Sequence, residues 1–96
     1  MLIYVAQELS NSLNKSDKNY FKSKIKGFDL FFSKSDKFDK NFSKSNIVFG
    51  NIPPDMIKQS SNLEWVQLES TGFSEYMHLG KLNKNIIITN LKGFFA

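Results

Sequence analysis

Five short apolar segments, separated by polar stretches, constrain the fold of this chain more than any other feature. They are Leu2–Ala6, Phe28–Ser33, Ile47–Phe49, Leu63–Leu68 and Asn85–Thr89. Short apolar or alternating runs of this kind are typical of strands. Strands that alternate with helices form βαβ units with right-handed crossovers. The pattern therefore predicts an α/β fold, a flavodoxin-like three-layer sandwich with a parallel five-stranded sheet in the order 2-1-3-4-5.

The polar stretches between these segments predict short helices. Leu9 and Leu13 lie four residues apart and so share one face of a helix over 7–15. Similar signals predict a helical turn over Tyr20–Ile25 with Gly27 as its C-cap, a lysine-faced helix around Phe38 and Phe42, a helix over Met56–Ser60 opened by Pro53-Pro54-Asp55, and one or two turns over Phe73–Leu79.

Length and composition exclude several classes of protein. With 96 residues the chain predicts a single domain over 1–96. It has no Cys, which excludes disulfides, thiolate zinc sites and cysteine nucleophiles. A single histidine, His78, excludes a two-histidine metal site, and we expect it on the surface. No apolar run approaches the length of a membrane span, and the N-terminus lacks a basic signal-peptide region, so we expect a cytoplasmic protein.

The positive charge of the chain suggests an anionic partner. The net charge is +4, and all 13 basic residues are Lys. Arg provides the planar fork that reads guanine and clamps phosphate, so its absence disfavours nucleic-acid recognition. Five Asp residues also dilute the lysine-rich region, at positions 17, 29, 36, 39 and 55. A lysine-rich anion or nucleic-acid binder therefore remains only as an alternative.

A stand-alone flavodoxin-like binding module is a second alternative. A phosphorelay receiver needs an acceptor Asp after the third strand, where this chain has Gly50-Asn51, although Gln7 and Glu8 do follow the first strand. A flavodoxin needs a Ser/Thr-rich phosphate loop after the first strand, and none is present. Both specific forms of the module are therefore disfavoured.

Four motifs in the second half resemble the substrate-binding ("catalytic") domain of the D-isomer-specific 2-hydroxyacid dehydrogenases, the family of D-phosphoglycerate dehydrogenase and glyoxylate reductase. NIVFGN is similar to the family's third strand and turn, and PPDMIKQSSNLEWVQ to its proline, helix and Leu-x-Trp-Ile-Gln stretch. ESTGFSEY is similar to its loop of a small residue, Gly and an apolar residue. IIITNLKGFFA resembles the strand and Asn-x-x-Gly turn before the interdomain hinge. The first 45 residues follow the family only in the order of elements.

The resemblance implies a binding site for the carboxylate of a 2-hydroxy or 2-oxo acid at the loop Ser70, Thr71, Gly72 and Phe73. Consecutive backbone N–H groups in a tight turn form a concave anion site, and Gly72 lets the backbone approach the ligand closely. Two residues depart from the family pattern. Ser74 stands where many members have Asp, and Lys92 where many have Arg.

The resemblance also implies what this sequence lacks. Family chemistry needs a GxGxxG loop for NAD(P), an Arg for the substrate and a His/acid pair, and the chain has neither GxGxxG nor Arg. His78 does not match the family's catalytic His. We therefore expect a substrate-binding domain truncated before the interdomain hinge, with no catalytic residue, cofactor or metal of its own. It would be inactive without a nucleotide-binding domain or subunit, and an apolar patch near Ile86–Ala96 would be exposed.

Overall fold

A computed structural model describes residues 1–69, 86–90 and 93–94 of the chain. Several features expected from the sequence lie outside these described ranges. They are the substrate loop Ser70–Phe73, the helical turns over Phe73–Leu79, and the residues Tyr76 and His78. The predictions made for them therefore stay predictions.

The structure contains the predicted parallel sheet. Its strands are β1 (Leu2–Val5), β2 (Asp29–Phe32), β3 (Ile47–Phe49), β4 (Trp65–Gln67), β5 (Ile87–Asn90) and β6 (Gly93–Phe94). The spatial order is β2-β1-β3-β4-β5-β6, and the first five strands are all parallel. The α/β fold, the five parallel strands and their order are confirmed. The sequence analysis missed β6, which pairs antiparallel with β5.

The described helices are α1 (Gln7–Ser12), α2 (Lys15–Lys24), α3 (Lys40–Ser43) and α4 (Pro54–Gln59). The single helix predicted over 7–15 is wrong at its end, because α2 starts there instead. Asn14 and Asp17 form a capping box: the Asn14 Oδ1 accepts from the Asp17 N–H at 2.8 Å, and the Asp17 Oδ2 accepts from the Asn14 N–H at 3.1 Å.

The C-cap predicted at Gly27 is also wrong. The C-cap of α2 is Ile25, whose backbone N–H donates to the Phe21 carbonyl at 3.2 Å. Gly27 lies two residues further on with φ of +85°, a conformation that favours glycine in the turn towards β2.

One face of the sheet carries the main core. Tyr4, Val48, Val66 and Ile88 are register partners across four neighbouring parallel strands. The first three are fully buried, and they pack in one cluster with Phe42 of α3 and with two residues of α4, Met56 and Ile57. Burying each such side chain contributes about 1.5–3 kcal/mol. Helices α3 and α4 thus form the layer on this face.

The opposite face is covered by α2 over only part of its width. Phe49 of β3 contacts Phe21 of α2, with ring centroids 5.7 Å apart, and Trp65 of β4 at 5.8 Å. The Lys18 and Lys22 ammonium groups lie 5.4 and 5.7 Å from the centre of the Phe32 ring. Helices therefore lie on both faces, as the three-layer prediction requires.

None of the described helices is long and apolar enough to cross a membrane. The longest of them, α2, has ten residues and no buried residue.

Gly50, which follows β3 directly, sets how closely α1 approaches the sheet. Its φ is +106°, and a Cβ at this position would lie 2.9 Å from the Ala6 Cβ and 3.1 Å from the Leu9 Cβ. Gly50→Ala combines backbone strain with overpacking, so we expect it to lower the free energy of unfolding by about 2–4 kcal/mol. Urea denaturation measures the change.

Gly27→Ala is the matched control. It also has a positive φ, but no atom lies within 4 Å of the added Cβ. We expect a loss of about 1 kcal/mol from backbone strain alone. Equal losses at the two positions would show that the contact between α1 and β3 is not tight.

Candidate functional site

The carboxyl ends of the parallel strands form the edge where a ligand site is expected. In open α/β sheets, ligands bind outside these ends, where the strand order reverses. Here β1 connects along the chain to β2 on one side, whereas β3 lies on its other side, so the reversal falls between β1 and β3. The residues that follow these strands, and those that follow β4, define the candidate site.

Backbone hydrogen bonds hold this edge together across four strands. The Ala6 N–H donates to the Phe49 carbonyl at 2.8 Å, and the Gly50 N–H donates to the Gln67 carbonyl at 2.8 Å. The Leu68 N–H donates to the Thr89 carbonyl, also at 2.8 Å. The edge is therefore a continuous ladder, and it places the side chains that follow β1, β3 and β4 in fixed relative positions.

Glu69 is the titratable group that this ladder places at the site. Its backbone N–H donates to Asn51 Oδ1 at 2.9 Å, which joins the residue after β4 to the turn after β3. Burial raises the pKa of the Glu69 carboxyl, and the negative charge of Glu8 raises it further. A carboxyl with a raised pKa keeps its proton at a higher pH and can exchange it with a bound ligand.

A second polar chain ties β4 to β5 on the face that α2 covers in part. The Trp65 Nε1–H donates to Thr89 Oγ1 at 2.9 Å, and the Thr89 hydroxyl donates to Gln67 Oε1. The Gln67 amide in turn donates to the Leu68 carbonyl at 3.0 Å. Trp65 is half-buried.

An apolar groove of about 390 Å³ lies on the same face, next to this polar chain. Its lining consists of Met1, Ile47, Glu64, Trp65, Ile87 and Thr89. Ile87 is 50% exposed, which is unusual for a strand residue of a parallel sheet, because such sheets are normally covered on both faces. Neither Asn51 nor Glu69 lines the groove, so it is separate from the Glu69 site.

No group of three or more His, Asp or Glu side chains able to hold a metal ion occurs within residues 1–69, 86–90 and 93–94. At the carboxyl edge, the acidic pair that the described structure brings together is Glu8 and Glu69.

The structure differs from the sequence analysis in which residues define the site. The predicted residues Ser70, Thr71, Gly72 and Phe73 lie outside the described residues, although Glu69, directly before them, lies at the expected edge. Sequence analysis missed Asn51 and Glu69 as site residues. It used Gly50-Asn51 only to disfavour a receiver and noted Glu8 only as following the first strand. Their shared signal was available: each comes within three residues of the end of a predicted strand.

Comparison with known proteins shows the fold. No protein-family model matches the sequence, and no curated protein matches it. A solved structure, the phosphoglycerate dehydrogenase from Lactobacillus plantarum, superposes with a TM-score of 0.70 at 14% identity. The match covers 97% of this chain but 29% of that chain. The chain therefore has the α/β fold of a domain-sized part of that dehydrogenase. The solved enzyme is a member of the family that the four motifs resemble.

The charge of Glu8 should account for part of the raised pKa of Glu69. Glu8→Gln removes that charge and keeps the shape of the side chain, so we expect the pKa of Glu69 to fall towards its ordinary value. An NMR pH titration of the Glu69 carboxyl carbon measures the shift. Glu64→Gln, an exposed position before β4, is the control and should leave that pKa in place.

The raised pKa also predicts how stability depends on pH. The folded state binds the Glu69 proton more tightly than the unfolded state, so the charged form costs stability once the pH rises above the ordinary value of 4.5. We expect Glu69→Gln to be stabilising at neutral pH and close to neutral in effect well below pH 4.5. The urea midpoints of Glu69→Gln and of the parent chain, measured across this pH range, test the sign of the stability change. A difference in midpoint that is the same at every pH would contradict the prediction.

Proposed function

We propose that this chain acts as the substrate-binding domain of an NAD(P)-dependent D-2-hydroxyacid dehydrogenase. In this proposal it binds the carboxylate of a 2-hydroxy or 2-oxo acid at the loop Ser70–Phe73. The hydride is transferred at a nucleotide-binding domain that is part of the same polypeptide or of a second subunit. The chain alone would not catalyse the reaction.

The observation that carries the proposal is the agreement between the motifs and the elements. NIVFGN coincides with β3 and the Gly50 turn, and the end of PPDMIKQSSNLEWVQ coincides with β4. The start of IIITNLKGFFA coincides with β5. A fold similarity at 14% identity and a sequence resemblance are separate observations, and they lead to the same family.

The geometry of the edge supports a carboxylate site in the loop that starts after Glu69. Glu69 is fixed by Asn51 at the carboxyl end of β4, so the chain enters the loop from the side of the sheet where α/β proteins bind ligands. Glu8 and Glu69 repel an anion, so the backbone N–H groups of the loop must supply the attraction. We expect the affinity of the chain alone to be weak, about millimolar.

The uncovered groove supports the need for a second domain. The expected apolar patch near Ile86–Ala96 agrees with the half-exposed Ile87, which lies beside Met1 and Trp65 at the groove. The sequence contains no GxGxxG and no Arg, so the nicotinamide and the residue that orients the substrate would come from outside residues 1–96.

An NMR titration of the ¹⁵N-labelled chain tests the carboxylate site. We expect glyoxylate and D-lactate to shift the amide signals of Thr71 and Gly72, whereas the corresponding uncharged amides do not. We expect 3-phospho-D-glycerate to shift the same signals, whereas its amide, which keeps the phosphate but lacks the carboxylate, does not. Gly72→Val blocks the approach of the ligand to the backbone, so we expect at least a tenfold weaker affinity, about 1.4 kcal/mol.

Gly27→Val is the matched control. Gly27 precedes β2, the strand at the other end of the order from β4 and β5, and no atom lies within 4 Å of a Cβ added there. This variant should bind as the parent chain does. Shifts caused by flavin mononucleotide but by none of the acids would favour the stand-alone binding module. If Gly72→Val and Gly27→Val lowered the affinity for the acids equally, the loop Ser70–Phe73 would not be the binding site.

A further inference from the structure

The positive charge of the molecule is concentrated around one edge of the sheet. Residues 15–44 contain nine Lys and four Asp, whereas the other 66 residues contain four Lys and five acidic residues. This segment forms α2, the edge strand β2 and α3. The net charge of +4 therefore comes entirely from the elements that surround β2.

These lysines are not neutralised by carboxylates within the described structure. Two of the four Asp residues cap helices: Asp17 caps α2, and Asp39 Oδ1 accepts from the Phe42 N–H at 2.9 Å at the start of α3. In the part of the chain that the structure describes, the ion pair within 4.0 Å is Lys58 with Asp55, outside this segment. The lysines of residues 15–44 thus present their charge to a partner.

Strand β2 offers backbone groups at the same place. Among the strands within residues 1–69, 86–90 and 93–94, it lies at the end of the order and pairs only with β1. The N–H groups of Asp29 and Ser33 donate to β1, at 3.0 and 2.9 Å, so the alternation of a strand directs the N–H and C=O groups of Leu30 and Phe32 outward. Such an edge is a template for an added strand.

Two of the lysines lie directly beside this edge. The Lys18 and Lys22 ammonium groups both lie within 6 Å of the Phe32 ring centre, at 5.4 and 5.7 Å. The two like charges repel each other, and a carboxylate placed between them would relieve that repulsion. Phe28, directly before β2, is 40% exposed.

We propose that the β2 edge binds an acidic, extended segment of another protein, which adds as a strand along Leu30 and Phe32 and places carboxylates against Lys18 and Lys22. Lysines on an edge strand discourage pairing with neutral or basic strands. Here Lys18 and Lys22 of α2, beside the edge strand, select an acidic strand, because main-chain hydrogen bonds provide affinity and the charges provide specificity.

RNA is the competing polyanion, and the observations favour protein. Sequence-tolerant RNA binding uses aromatic faces for base stacking, but the Phe32 ring is already occupied by two lysine side chains. The chain also has no Arg to clamp phosphates. The open backbone of β2 is a feature that a peptide uses and RNA does not.

Binding of a labelled peptide tests the proposal. The probe is a capped peptide of about ten residues in which Glu and Val alternate, long enough to cover β2. Fluorescence anisotropy measures its affinity for the full chain, and NMR hydrogen exchange follows the Leu30 and Phe32 amides. We expect binding that weakens with salt, together with slower exchange at these two amides.

Variants and control probes make the test decisive. We expect the double variant Lys18→Glu, Lys22→Glu to weaken binding about tenfold or more, and Lys58→Glu to change it less than twofold. The milder pair Lys18→Gln, Lys22→Gln should give an intermediate loss, and circular dichroism confirms folding. The peptide with Gln in place of Glu should not bind.

Three outcomes would overturn the proposal. A Glu-rich peptide with Pro at its central Val positions cannot complete the strand, so equal affinity for it would mean charge attraction alone. Tighter binding of oligouridylate than of the peptide would indicate a nucleic-acid surface. Absence of peptide binding at low salt, or unchanged exchange of the Leu30 and Phe32 amides in the complex, would exclude strand addition.

Discussion

The burial of one row of side chains across the sheet is the interaction on which the rest of this structure depends. Tyr4, Val48 and Val66 are fully buried in register, and α3 and α4 cover them. The five parallel strands are only three or four residues long, so their ladders provide few hydrogen bonds. Side-chain packing against the helices therefore fixes the register, and the register fixes every feature at the carboxyl edge.

That dependence connects the packing to the candidate chemistry. A slip of one residue would turn the buried row to the other face and would separate Asn51 from the Glu69 N–H. Gly50 also contributes to this packing, because the absence of a side chain lets Ala6 and Leu9 lie against the end of β3. The raised pKa of Glu69 has two causes at these strand ends, its burial and the negative charge of Glu8 on α1.

The sequence allowed the sheet and its order to be predicted because apolar strand segments signal burial directly. It did not reveal the first half of α2, which begins with a capping box and not with an apolar stripe, although it predicted the turn over Tyr20–Ile25. Nor did it reveal β6, which has two residues and no pattern of its own. The Glu69 site was missed for a related reason: the Asn51 bond and the charge of Glu8 come from residues far apart in the chain, and only the fold brings them together.

The central position of β1 has a consequence for the biosynthesis of this domain. Strand β1 pairs with Asp29–Phe32 on one side and with Ile47–Phe49 on the other. The Leu2 N–H is held by Asn46 Oδ1, 44 residues later in the chain. During translation β1 therefore has both of its neighbours only after residues 29–32 and then residues 47–49 have emerged. Native contacts of such long sequence separation make folding slow, so this strand is the segment for which a nascent-chain chaperone would matter most.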